Sequence, residues 1–164
     1  MNTVLLINLI KIRWIAIVGQ LTTLFTIFFV FNFTIPLTEC LIVVALSILV
    51  NFYSYFIQRG NPTLNDKKTF LFLLFDISQL VGLLFLTGGV FNPFIVLILA
   101  PIIISASYLS ALWTILLSLH SILFILRINF NYIPLNWDQN FITPRIYNIG
   151  IVIALIITII FIAI

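Results

Sequence analysis

The sequence predicts an all-α polytopic membrane protein of six transmembrane helices with both termini cytoplasmic. Three observations carry that expectation. Of the 164 residues, 63% are hydrophobic and only 7% charged, and a soluble surface needs far more charge than that. The apolar residues gather into runs of membrane length, separated by short polar turns. The basic residues divide unevenly between alternate turns. Lys11, Arg13, Arg59, Lys67 and Lys68 share one face of a six-span arrangement, with Arg127 and Arg145 opposite, and the richer face is the cytoplasmic one.

Residues 1–12 carry Asn2, Asn8 and Lys11 among apolar neighbours, the pattern of a short amphipathic lead-in lying in the interface. No small-residue cleavage site follows, so the segment is not a signal peptide. The first span is expected over residues 14–33. A turn with Pro36 leads to a second span at 40–57, whose Tyr53 and Tyr55 suit the headgroup level. The loop that follows holds Arg59, Lys67, Lys68 and a Gly60-Asn61-Pro62 turn. A third span is expected at 70–87.

Residues 94–126 are apolar almost throughout. As one helix they would reach roughly 50 Å, too long for a ~30 Å core. We therefore divide them between residues 105 and 110 into a fourth and a fifth span, although no Gly or Pro marks the bend. A second polar loop runs from 127 to 145, and the sixth span is expected at 147–164. Nothing suggests a second domain.

Between the third and fourth spans lies the chain's densest set of backbone-special residues, Gly88-Gly89-Val90-Phe91-Asn92-Pro93-Phe94. The two glycines admit positive φ and let another molecule approach the backbone. Pro93 lacks an N–H and biases Asn92 toward extended geometry. Freed N–H groups, a carboxamide and two phenyl rings at a membrane boundary suit a flat, amphipathic ligand with two carbonyls. An ordinary turn accounts for the same residues: a glycine caps the helix before, Asn92 caps the helix after, and Pro93 takes its first position.

Asp76 is the one acid inside an expected span. A lone Asp at the centre of a span costs about 2.5–3.5 kcal/mol, so a partner is expected, within reach at Arg13 or Lys68. Gln79, three residues on, shares its helix face. Together they fit either an intramembrane switch or a helix-locking hydrogen bond. Gln20, Asn51 and Ser105 are expected to make interhelical hydrogen bonds, and Ser78 with Gly82 to admit a neighbouring helix. His120 fits a packed, hydrogen-bonded core position better than a haem ligand, and Cys40 a buried filler better than a redox thiol. No phosphate loop, nucleophile elbow or metal-ligand spacing is present, so no metal is expected. No dense basic cluster points to nucleic acid.

The heptapeptide resembles the G-G-x-x-N-P-F segment of RegB/PrrB/ActS-type redox-sensing histidine kinases. The likeness extends to Arg13-Trp14-Ile15-Ala16 with Gly19-Gln20, to Phe75-Asp76 with Gln79-Leu80 and Leu86-Thr87, and to Pro101 with Ile104-Ser105-Ala106. The resemblance implies a quinone-sensing input domain over residues 1–164 in a bacterial inner membrane. It implies a quinone, ubiquinone or a relative, held by Gly88, Gly89, Phe91, Asn92, Pro93 and Phe94. It also implies a homodimer among membrane lipid, and a response regulator reached through a kinase region. That family continues past its sixth helix into a phosphoacceptor helix, a redox-active cysteine and an ATP-binding domain. None of these is in the 164 residues, so no phosphoryl transfer is expected from them. Ending in apolar sequence with no cation after Ile164, the chain reads as a shortened or interrupted protein. The alternative from another class is a small six-helix transport component, such as a vitamin-binding subunit, in which the heptapeptide would be a turn only.

Overall fold

The computed structural model describes residues 4–58, 63–134 and 150. These form five α-helices: α1 (Leu6–Phe25), α2 (Leu37–Gln58), α3 (Asp66–Leu86), α4 (Leu99–Tyr108) and α5 (Ala111–Phe130). The only strands among the described residues are a two-residue antiparallel pair, β1 (Val4–Leu5) with β2 (Thr63–Leu64). Among the described residues four segments are long and apolar enough to cross a membrane: Leu6–Val30, Leu37–Phe56, Asp66–Leu86 and Ala111–Phe130. Apart from residue 150, the expected sixth span lies outside the described residues, as do both chain ends.

The start of α1 departs from expectation. Residues 6–12 are not a separate lead-in but continuous with α1 as its first turns, with Leu6, Leu9 and Ile10 in the core against Leu64 and Leu73. The stretch supplies an apolar i, i+3, i+4 face that packs like any other helix. Arg13 consequently lies well inside the helix and is only 5% exposed, so it does not belong with the charges at the bundle's end.

α1 widens into a π-helical turn, Thr26–Val30. It ends at Asn32, whose φ of 53° lies in the left-handed region that Asn tolerates better than most residues. Pro36 then starts α2, its carbonyl accepting from Cys40 N–H at 3.0 Å. Asn65 caps α3, its Oδ1 accepting from Lys68 N–H at 3.0 Å. Along α3, Thr69, Leu73, Ile77, Val81 and Leu84 are buried, a spacing of four, four, four and three that keeps one face inward. α3 touches α2, α4 and α5 and forms the centre of the bundle.

The division of the long apolar run falls where expected. α4 ends at Tyr108, and Leu109 and Ser110 are extended (ψ 162° and 155°) before α5 begins. Ser105 Oγ and Thr114 Oγ1, 3.0 Å apart, tie the two sides of the corner. Before α4, Pro93–Ile98 winds as a 3₁₀ helix. Pro101 supplies a reason: its ring would clash with the carbonyl four residues back, at Leu97, and it offers no N–H there. The combined Pro93–Tyr108 segment is shorter than the four long helices. With ~2 Å rise per 3₁₀ residue and ~1.5 Å per α residue it still extends about 27 Å.

Contacts at the helix ends set their relative directions. Phe70 and Trp113, near the starts of α3 and α5, have ring centroids 5.0 Å apart. At the other ends, Gly88 N–H donates to Ile133 O (3.1 Å) and Ile133 N–H to Phe85 O (2.8 Å). α3 and α5 are therefore parallel, and β1–β2 pairing puts the start of α1 beside that of α3. In lipid, apolar surface alone does not drive helices together, and packing and polar contacts have to. Gly82 lies against Val43 of α2, which a Cβ there would meet at 3.7 Å. Asn51 of α2 donates its amide to Ile10 O of α1 at 3.2 Å.

Candidate functional site

The heptapeptide forms a tight double turn. Gly88 (φ 103°) and Gly89 (φ 61°) are both left-handed, as expected of residues freed from a Cβ. Gly89 is pressed beneath Tyr132, whose Cγ would lie 2.6 Å from an added Cβ. Asn92 is extended (φ −75°, ψ 121°), with Pro93 at the first position of the 3₁₀ helix.

Asn92 acts as a strut. Its Oδ1 accepts from Phe94 N–H at 2.9 Å, and its Nδ2 donates to Thr87 O (2.9 Å) and Thr87 Oγ1 (2.8 Å). A carboxamide has two N–H donors, and both are engaged within the turn. The Gly88 N–H is engaged too, on Ile133 O. From the sequence these groups are expected to be open to a ligand; the turn instead uses them to hold itself together. Phe91 is 62% exposed, its ring 5.9 Å from that of Tyr132. Phe94 alone of the two phenyl rings faces inward, where with Asn92 it lines a cavity.

That cavity, about 230 Å³, is a groove between α1, α3, the Pro93–Ile98 segment and α4. It runs from Asn92 and Phe94 at one end to Arg13 and Asp76 at the other. Asp76 and Gln79 thus share one cavity with part of the heptapeptide, whereas Gly88, Gly89, Phe91 and Pro93 stand behind or outside it.

Two polar pairs cross the groove from α1 to α3. Arg13 Nε and Nη2 donate to Asp76 Oδ1 and Oδ2 at 2.8 and 3.0 Å, the bidentate fork that a guanidinium matches to a carboxylate. Of the two expected partners for Asp76, the structure selects Arg13. Arg13 Nη1 also donates to Ser54 Oγ at 3.4 Å, and its guanidinium carbon lies 5.3 Å from the Phe72 ring centroid. Farther along the groove, Gln20 Nε2 donates to Gln79 Oε1 (3.2 Å) and Gln79 Nε2 to Gln20 Oε1 (3.0 Å).

From the sequence Gln79 stands out beside Asp76 and Gln20 is expected to make an interhelical bond, with no link between the two; the structure joins them. A legible signal existed: Arg13 and Gln20 are two turns apart on α1, and Asp76 and Gln79 share a face of α3. Cys40 is buried. His120 packs edge-on to Phe124, and its Nε2 has no hydrogen-bond partner among the described residues, which departs from the hydrogen-bonded position expected. Among the described residues no group of three His, Cys, Asp or Glu is placed to hold a metal.

No protein-family model matches the chain, and no solved structure matches it. Two curated proteins do. The chain is 33% identical over 156 residues to the sensor histidine kinase RegB of Cereibacter sphaeroides, a match covering 94% of the chain and 34% of that protein. A sensor histidine kinase RegB from a second Cereibacter sphaeroides source, strain ATCC 17023, is 34% identical over 73 residues, covering 44% of the chain and 16% of the relative. The chain thus spans about a third of the length of the first relative. An apolar helical bundle, the resemblance at the 88–94 turn, and identity along nearly the whole chain agree, and the chain belongs to the RegB-type sensor regions.

Proposed function

We propose that this chain is the input region of a two-component sensor kinase in a bacterial inner membrane. It takes a membrane quinone, ubiquinone or a relative, into the groove whose mouth is the 88–94 turn. The observation that carries the reading is the groove itself: an apolar cavity with polar pairs along it and Asn92 and Phe94 at one end. A quinone presents flat apolar faces and two carbonyl acceptors, which such a lining matches. About 230 Å³ is below the ~300–1,000 Å³ of a site that swallows a whole drug-sized ligand. It suits a single ring whose isoprenoid tail stays among the lipids.

In this reading the heptapeptide shapes the mouth. Gly88 and Gly89 allow the reversal, Asn92 and Pro93 fix it, Phe94 flanks the ring and Phe91 meets the lipid headgroups. Six spans with cytoplasmic termini accord with Lys11, Lys67 and Lys68 near the end where α1 and α3 begin. A homodimer would pass the redox state of the quinone pool to a kinase region and on to a response regulator. A ligand shifts such an equilibrium only by its differential affinity for the two states, and ~1.4 kcal/mol is tenfold.

The test is ubiquinone binding to the chain in nanodiscs, with circular dichroism as the folding control. Phe94→Ala and Asn92→Ala should each weaken binding at least several-fold, Asn92→Ala also loosening the turn. Parent-like binding by both helical variants would leave the 88–94 segment as a turn only.

A further inference from the structure

We propose that the quinone's ring is received by the paired carboxamides of Gln20 and Gln79, within the groove, while the 88–94 turn forms only its mouth. This rests on the quinone reading above and assigns the polar contacts that reading leaves open.

Most of the turn's hydrogen-bond donors are already engaged. Both N–H groups of Asn92 are taken by Thr87, and the N–H groups of Gly88, Phe91 and Phe94 by Ile133, Gly88 and Asn92. The Arg13–Asp76 pair is closed on itself in bidentate fashion, and opening it would strand a charge away from water. Gln20 and Gln79 differ from both. They are neutral, they line the groove, and among the described residues their side chains bond only to each other, in a reciprocal pair.

Each carboxamide offers two N–H donors and an acceptor oxygen, and the pair engages one N–H on each. A quinone carbonyl can accept from Nε2 of either, and a quinol hydroxyl can donate to either Oε1, so the pair can serve both redox forms. Gln79 lies eight residues before Thr87, about 12 Å along α3, so a ring there sits below the turn with its tail free to leave. Beside Gln20 the groove has room: Gly19 lines it, and a Cβ added there meets no heavy atom within 4 Å. A ligand bonded to the free N–H or oxygen lone pair of both carboxamides would add a bridge between α1 and α3 beside their reciprocal pair, so binding alters what ties the two helices.

The test measures a short-tailed ubiquinone retained by chain-loaded nanodiscs in excess of empty ones. The variant is Gln20→Leu with Gln79→Leu, which removes both partners and leaves no orphaned amide. The expected result is at least a tenfold loss of affinity with unchanged helicity. Parent-like affinity in the double variant overturns the assignment and leaves the quinone reading standing. No retention by the parent overturns both. Should the double variant fail to fold, Gly19→Leu carries the test by filling the open space beside the pair, and parent-like affinity there overturns the assignment.

Discussion

Replacing Arg13 with leucine removes the cation from a bidentate pair and leaves Asp76 alone in the bundle. The Arg13 side chain is 4% exposed and that of Asp76 26%, so water screens the pair little. Removing one partner of a buried pair costs about 3–5 kcal/mol, and a lone Asp in a span about 2.5–3.5 kcal/mol. We expect a loss of about 3 kcal/mol for Arg13→Leu. Asp76→Leu should cost less, about 1–3 kcal/mol for the stranded donors. Arg13 is only two turns, roughly 10 Å, from the start of α1 at Leu6, and its long stem can carry the guanidinium toward that end. A short Asp has no such escape. The double variant Arg13→Leu/Asp76→Leu should recover most of the loss, because two apolar groups replace a matched pair at little net cost. The assay is equilibrium unfolding in mixed micelles by added dodecyl sulfate, followed by circular dichroism. A coupling of at least ~2 kcal/mol between the sites is expected. Losses that add within ~0.5 kcal/mol would refute the reasoning and leave packing alone to hold α1 against α3.

Two further outcomes are expected. Periplasm-active reporters fused after Arg59 and after Val90 should be dark and bright respectively; the opposite pattern would invert the proposed topology. Gly89→Ala should lower stability by roughly 2 kcal/mol or more, since the left-handed backbone alone costs about 1–2 kcal/mol and the new Cβ meets Tyr132 at 2.6 Å. The double variant with Tyr132→Ala should regain the contact part and keep the backbone part. A thermal midpoint unmoved by Gly89→Ala would show that the turn is not held as described.

Local chemistry determined much of this protein without help from the fold. In a membrane each backbone N–H and C=O has to be satisfied within the protein, by helices or a closed barrel, and continuous apolar runs of about twenty residues select helices. Asn92-Pro93 disfavoured continuing that helix, since Pro93 has no N–H and biases Asn92 toward extended geometry, and Gly88-Gly89 permitted the left-handed backbone of the reversal. The break near Ser110 followed from length alone, and the need of Asp76 for a partner from the cost of an unpaired charge.

Tertiary structure decided which groups meet. Arg13 rather than Lys68 pairs with Asp76, Gln20 finds Gln79, and the Asn92 amide turns inward to Thr87 instead of outward. Even the start of α1, at Leu6 rather than beyond Lys11, depends on Leu64 and Leu73 covering its first turns. The physical reason is that hydropathy in lipid places a helix across the membrane but leaves its rotation and its neighbours undetermined. Those are set by close packing and by a few polar contacts between helices, and such contacts join residues more than forty positions apart in the chain.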